Sequence, residues 1–367
     1  MATYYTSSSA LGGGVGSYAD PFTLQEAFDT ATAGDEVRIL NDGTYYPTVS
    51  IDVDTNAGTA GNEIVFRGRN SGDTAYEMAT ISGSSLPTNS HLLDASAHTT
   101  SFTYTRFEDL RLTATSGTGR GWTQTYNRCR GNVWRNCRID NFPQYAMSLG
   151  YTVSFYDCEF HDNLISLVGL RSSSIVSGCS FRDGTSAGAL NEGEVVWVNC
   201  IFYNHSGRVH TTFSGSQIFI SCTFDQGTYA IYDGRVRGII NCLFSNFTTQ
   251  AINFNSSYNP VGYSQLLIAG NYFYNNTADT NITPDTFLTA NNTFAGSDPQ
   301  YVSTTAGAED YNLQSGSPAE GTGVPSSYTI TGGTDMTSSK TPGAFAAAIA
   351  AAITSVFSYM ANFTRLG

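Results

Sequence analysis

Glu159, His161 and Asp162 crowd into four residues, and Arg182 and Asp183 follow one repeat later. Carboxylate, imidazole and guanidinium groups placed like this could move a proton and hold an anion at one spot. A second group, Glu192, Glu194, His205, Arg208 and His210, has the same ingredients. Tyr203 adds a flat ring on which a ligand could rest. Charged residues also belong on the outward positions and turns of any soluble protein, so each group has a purely structural reading beside it. The glycine run Gly12 to Gly14 lacks the lysine and the preceding buried strand of a phosphate-binding loop, and reads as a plain loop.

What positions these side chains is a repeat. Seven cysteines stand at Cys129, Cys137, Cys158, Cys179, Cys200, Cys222 and Cys242, with gaps of 21, 21, 21, 22 and 20 residues from Cys137 on. The surrounding sequence recurs with them: WRNCRI (134–139), FYDCEF (155–160), VSGCSF (176–181), WVNCIF (197–202), FISCTF (219–224) and IINCLF (239–244). AGNYF (269–273) continues the frame with Asn271 in the cysteine slot. Such a period without a helical signature marks a solenoid. Two residues after each cysteine comes a large apolar residue, from Ile139 and Phe160 to Phe244 and Phe273. That spacing puts both on the buried face of one strand. Three residues before the cysteine stands another apolar column, Trp134, Phe155, Val176, Trp197, Phe219 and Ile239. An odd offset breaks strand alternation, so the chain must bend near Asn136, Asp157, Gly178, Asn199, Ser221 and Asn241. Strand, bend, strand in every coil predicts an all-β, single-stranded parallel β-helix. The cysteines are expected inside it as unbridged thiols.

The chain resembles the right-handed parallel β-helix proteins of the pectate-lyase-like superfamily. The opening carries the likeness in YYTSSS (4–9), DPFTLQEAFDTATAGDEVRIL (20–40), GTYY (43–46) and GTAGNEIVFRG (58–68). The exit carries it in DPQYV (298–302), YNLQSGSPAEGTG (311–323) and GAF (343–345). At 21 residues per coil, residues 64–330 allow a rod of about 12 coils at roughly 4.8 Å each. The resemblance says little about activity, because this fold hosts lyases, hydrolases, phage tailspikes and structural proteins. The polygalacturonase-type motifs NTD, DD, GHG and RIK are absent, and no carboxylate ladder for calcium is evident. No catalytic residue, cofactor or metal ligand is therefore assigned. Glu159, His161, Arg182, Asp183 and Tyr203 are candidates for glycan contact only.

Residues 1–63 are expected to supply an N-terminal strand and a capping helix, with Leu24, Ala27, Phe28 and Ala31 at helical spacing and Gly34 as the stop. Residues 64–343 form the β-helix. Residues 344–367 form a C-terminal apolar helix: Ala344 to Thr364 carries no charge, and Phe345, Ile349, Ile353 and Phe357 recur every fourth residue. Such a stripe predicts association with copies of the chain or docking on a larger assembly, with a cap along the chain's own rod and a membrane span as the alternatives. A net charge of −13, with one lysine among seventeen basic residues, argues against nucleic acid as a partner. No leader sequence is evident in MATYYTSSS. Together these features resemble a bacteriophage virion protein, a non-enzymatic rod folded in a host cytoplasm: a head fibre, capsid decoration or tail spike, which the resemblance implies is a homo-oligomer, a trimer being favoured, and which could bind cell-surface polysaccharide. The alternatives are a secreted polysaccharide lyase or glycan-binding enzyme, and a self-assembling surface filament.

Overall fold

The computed structural model describes residues 1–53, 55–95, 103–114, 119–124, 130–149, 152–170, 174–184, 189–191, 195–212, 217–232, 236–254, 267–281, 288–290, 292–305 and 309–323. The C-terminal stripe at 344–364, Cys129, Glu192 and Glu194 lie outside the described residues. The chain has the right-handed parallel β-helix fold, nearly all strand, with one α-helix among the described residues. It divides into two compact units: Met1–Val195 with His205–Gly207, and Val196–Asn204 with Arg208–Gly367.

From Ile64 on, the coils of the first unit have three strands each. Asn132–Arg135, Arg138–Asp140 and Tyr145–Ser148 make one coil, and Val153–Tyr156, Glu159–His161 and Ile165–Leu170 make the next. Like strands pair in parallel, in register: Trp134 on Phe155, Ile139 on Phe160 and Met147 on Leu167. The first two strands and the bend between them are those the cysteine frame predicts. Asn136, Asp157, Gly178, Asn199, Ser221 and Asn241 all have φ between 50° and 65°. The third strand has no shared residue type to announce it. In the second unit Thr223–Tyr232 and Leu243–Asn253 run through the second and third positions as continuous strands, with the left-handed bend kept inside them at Gln226 (φ 61°) and Asn246 (φ 62°).

The interior is built from the two predicted columns. Phe160 stacks on Phe181 at 4.8 Å and 3° in the first unit, and Phe202 on Phe224 at 4.7 Å and 4° in the second. Near-parallel rings at one-coil spacing bury their full area with little freedom to lose. Cys137, Cys158, Cys179, Cys200, Cys222 and Cys242 are buried and unbridged. Cys158, for example, hydrogen-bonds the carbonyl two residues back at 3.3 Å. Asn271 does fill the cysteine slot: it is fully buried, donates to the Ile239 carbonyl at 2.8 Å, and accepts the Cys242 N–H at 2.8 Å.

The helix Leu24–Thr30 forms where the spacing places it. Thr23 caps it, with Glu26 returning the bond to the Thr23 backbone. Leu24, Ala27 and Phe28 are its buried face, and Phe28 stacks on Phe66 of the adjoining coil at 4.1 Å. The helix thus seals an apolar end that would otherwise be wet.

Candidate functional site

Residues flanking each inward aromatic of the second strand point out. The first unit places Asp140, His161 and Arg182 one above another in strict register there, as the spacing predicts. Asp140 is fully buried nonetheless, because its neighbours close over it. Arg111 grips it with two bonds, Nε to Oδ2 at 2.9 Å and Nη2 to Oδ1 at 3.2 Å. Arg138 Nε donates to Oδ2 at 2.8 Å and Asn141 Nδ2 to Oδ1 at 2.8 Å. Thr113 donates its hydroxyl as well. Burial alone would push the Asp140 carboxyl up, but these bonds and the Arg111 charge hold it below the usual carboxylate range.

The arginines are only partly consumed. Their side chains are 35 % and 34 % exposed. Nη1 of Arg111, and both Nη groups of Arg138, make no protein hydrogen bond among the described residues. Two planar cations are thus fixed by one carboxylate and present free N–H edges to solvent, a geometry suited to binding carboxylate or sulfate.

The other candidates divide. Glu159 is exposed, paired in register with Arg138. Arg182 is 26 % exposed and lies 3.6 Å from the Asp183 carboxylate. His161 is only 3 % exposed; its Nδ1 faces Asp162 at 2.9 Å, and its Nε2 lies 3.4 Å from Asp140 without hydrogen-bond geometry. Tyr203 is not an open platform. It belongs to the second unit, is 8 % exposed, and packs against Tyr311 at 5.1 Å. The hairpin of Tyr301–Ser303 and Asp310–Leu313 folds over this face and buries Tyr203, Leu243 and Tyr272.

In the second group, His205 and His210 are core residues and not groove residues. His205 Nε2 meets the Phe181 carbonyl at 3.2 Å, and burial pushes its pKa down to about 4. His210 points inward, edge-on to Trp197 at 5.4 Å and Phe219 at 5.0 Å. Neither of its nitrogens has a hydrogen-bond partner among the described residues, and burial pushes its pKa down to about 3. Arg208 is exposed, with its guanidinium 3.5 Å from the Tyr232 ring centroid.

Arg111 was hidden from the cysteine frame. Its coil reads FEDLRL (107–112), with Leu110 in the cysteine slot, and the next coil follows after 27 residues rather than 21. The apolar columns Phe107 and Leu112 were the available signal. Among the described residues no group of three or more His, Cys, Asp or Glu is arranged to hold a metal ion.

No protein-family model matches the chain, and no curated protein matches it. Solved structures do. A pectate lyase, Pel9A, aligns over 94 % of this chain and 96 % of its own at a TM-score of 0.55 and 12 % identity. A rhamnogalacturonan lyase aligns over 83 % of this chain and 91 % of its own at 0.59 and 14 %. A Geobacillus virus E2 protein, ORF18, covers 82 % of this chain at a TM-score of 0.46 and 12 % identity, too loose to carry an argument. At these identities the likeness is one of fold.

Proposed function

We propose that the protein is a carbohydrate-active β-helix protein that engages acidic polysaccharide through Arg111, Arg138 and Arg182. One observation carries this reading: two partly exposed guanidiniums are seated on the buried Asp140 carboxylate, with free N–H edges. Pre-organised cations lose little freedom on meeting an anionic sugar, so they bind it better than loose lysines would. The polysaccharide lyases of similar fold support the carbohydrate part of the reading.

Guanidiniums at a uronate carboxylate also supply the neutralising half of a β-elimination. The other half needs a base with access to the sugar, and His161 is nearly closed off. Binding is therefore the core of the proposal, and turnover is the second readout of its test. The full chain is titrated with polygalacturonate and alginate by affinity electrophoresis, while unsaturated-uronate absorbance is followed. Wild type is expected to bind. The Arg111→Ala/Arg138→Ala double variant is expected to bind about 100-fold more weakly, from two lost charge-assisted contacts. Failure of wild type to bind any acidic polysaccharide overturns the proposal. Absorbance that His161→Ala or Arg182→Ala abolishes would make the protein a lyase.

A second reading, attachment to a virion, is favoured by the uncharged run Ala344 to Thr364 with its apolar stripe. On this reading that segment joins copies of the chain or docks them on a particle, and the β-helix faces a host glycan. Sedimentation of the full chain against an Ile353→Asp variant tests it. Equal masses, with no self-association by either, would remove it.

A further inference from the structure

The outer face of the first-strand stack in the first unit carries a column that the site above does not use. Tyr5, Arg38, Arg67, Glu108, Arg135 and Tyr156 stand in register, one per coil. The spacing is about 4.8 Å per step, a rise comparable with one pyranose residue. Three of these arginines lie over tyrosine rings: Arg38 over Tyr5 at 5.7 Å, Arg135 over Tyr156 at 5.6 Å, and Arg67 over Tyr76 at 5.0 Å. Arg69 adds a second cation over Tyr76 at 4.5 Å.

Charge pairing along this column is uneven. Arg38 is bound to Asp73 and Glu36, and Arg67 to Glu108 and Glu36. Glu108 turns to Arg67 and Arg106, not to Arg135. Arg135 is exposed and makes no ion pair among the described residues. Arg38, Arg67, Arg69 and Arg106 are each tied to Glu36, Asp73 or Glu108, which leaves Arg135 as the cation of this column outside those pairs. The whole chain carries −13. Tyr76 is 62 % exposed, although two guanidiniums and a backbone bridge to Arg69 hold it in place. An exposed ring held in place and a cation without an ion pair among the described residues are the two elements that hold an anionic sugar: the ring stacks on the C–H face and the cation meets the acid group.

We infer that this face is a second saccharide-contact track, in which Arg135 and Tyr156 take an acidic sugar and Tyr76, two coils away beside Arg67, stacks a sugar about two residues along the same chain. It goes beyond the Arg111–Arg138 reading by giving the protein two separate holds on polysaccharide. The two are separable by experiment. Affinity for polygalacturonate and for a neutral glucan is measured on the full chain by biolayer interferometry for wild type, Arg135→Ala, Tyr76→Ala and Arg138→Ala. Thermal melting confirms that each variant is folded. Arg135→Ala and Tyr76→Ala are each expected to lower affinity for polygalacturonate about tenfold. The glucan is expected to bind more weakly than polygalacturonate, with Arg135→Ala leaving it unchanged. Unchanged polygalacturonate affinity in both Arg135→Ala and Tyr76→Ala overturns this inference, and a loss confined to Arg138→Ala leaves the first site standing alone. A loss in Arg135→Ala without one in Arg138→Ala does the reverse. If wild type binds neither polymer, both sites fall.

Discussion

Asp140 in the first unit and Asp225 in the second occupy the same slot, three residues after a ladder cysteine, and both are fully buried. Their surroundings are opposite. Asp140 lies under Arg111 and Arg138 and is held below the usual carboxylate range. Asp225 has no cation among its bonded partners. Ser245 donates to it at 2.7 Å, Asn246 at 2.7 Å and Tyr311 at 3.0 Å. Burial outweighs those bonds and raises its pKa. The same slot in the repeat thus gives a pinned anion in the first unit and a carboxyl that resists ionisation in the second. The difference comes from what covers the slot: solvated arginines in the first unit, the chain's own C-terminal hairpin in the second. An outward position on this solenoid is a ligand face only where the chain has not covered it.

The interiors should not differ in the same way. Phe160→Ala in the first unit and Phe202→Ala in the second should each cost about 3–5 kcal/mol, because each opens a hole in a stacked column. Urea unfolding measures this. A loss below about 1 kcal/mol in either would mean that its column is not core.

One interior column does differ. Trp122, Met147 and Leu167 line the third strand in the first unit, where the second has His210, Ile231 and Ile252. His210 is buried neutral, with its pKa depressed to about 3. The unfolded chain takes up its proton near the ordinary histidine pKa, before the folded chain does. Its stabilising contribution is therefore complete above about pH 6.5 and is lost as pH falls towards 3, by on the order of 4 kcal/mol. His210→Phe should flatten that part of the acid limb in melts between pH 7 and pH 4. An unchanged limb would contradict the buried assignment.

The two aspartates should answer the same substitution with opposite signs. Asp140→Asn should destabilise by about 1–2 kcal/mol at pH 7. The guanidiniums it strands are a third exposed, so solvent screens part of the loss. Asp225→Asn should be neutral or stabilising by about 1 kcal/mol at pH 8, because it removes an uncompensated charge. The pH trends follow. The Asp140 contribution is present above the unfolded carboxylate pKa and is lost as pH falls through the lower folded value. The Asp225 contribution is present at low pH and is lost as pH rises through its raised folded value. Equal destabilisation by both variants at pH 8 would erase the contrast.

The sequence made the inward half of the fold legible, because packing demands the same residue at the same place in every coil. Cys158, Phe160 and Asp157 announce a core position, a ring and a bend. Outward residues obey no such demand. Arg111 escaped because its coil is longer and has leucine for cysteine. Tyr203 read as an exposed ring because its cover, Tyr301 and Tyr311, lies about a hundred residues further on, in segments recognised only as the exit of the helix. His205 and His210 looked like surface chemistry because the third strand, which turns His210 inward, left no repeated residue to set its register.

Hydrogen–deuterium exchange of the full chain, with and without saturating polygalacturonate, tests the central claim most directly. Protection should appear in peptides spanning Leu110–Thr113, Arg138–Asp140 and Glu159–His161, where Arg111, Arg138 and Glu159 reach solvent. None should appear at Ile201–Tyr203 or Tyr272–Tyr274, which the hairpin already covers. Protection at the covered strands, or at none of these, would contradict the account.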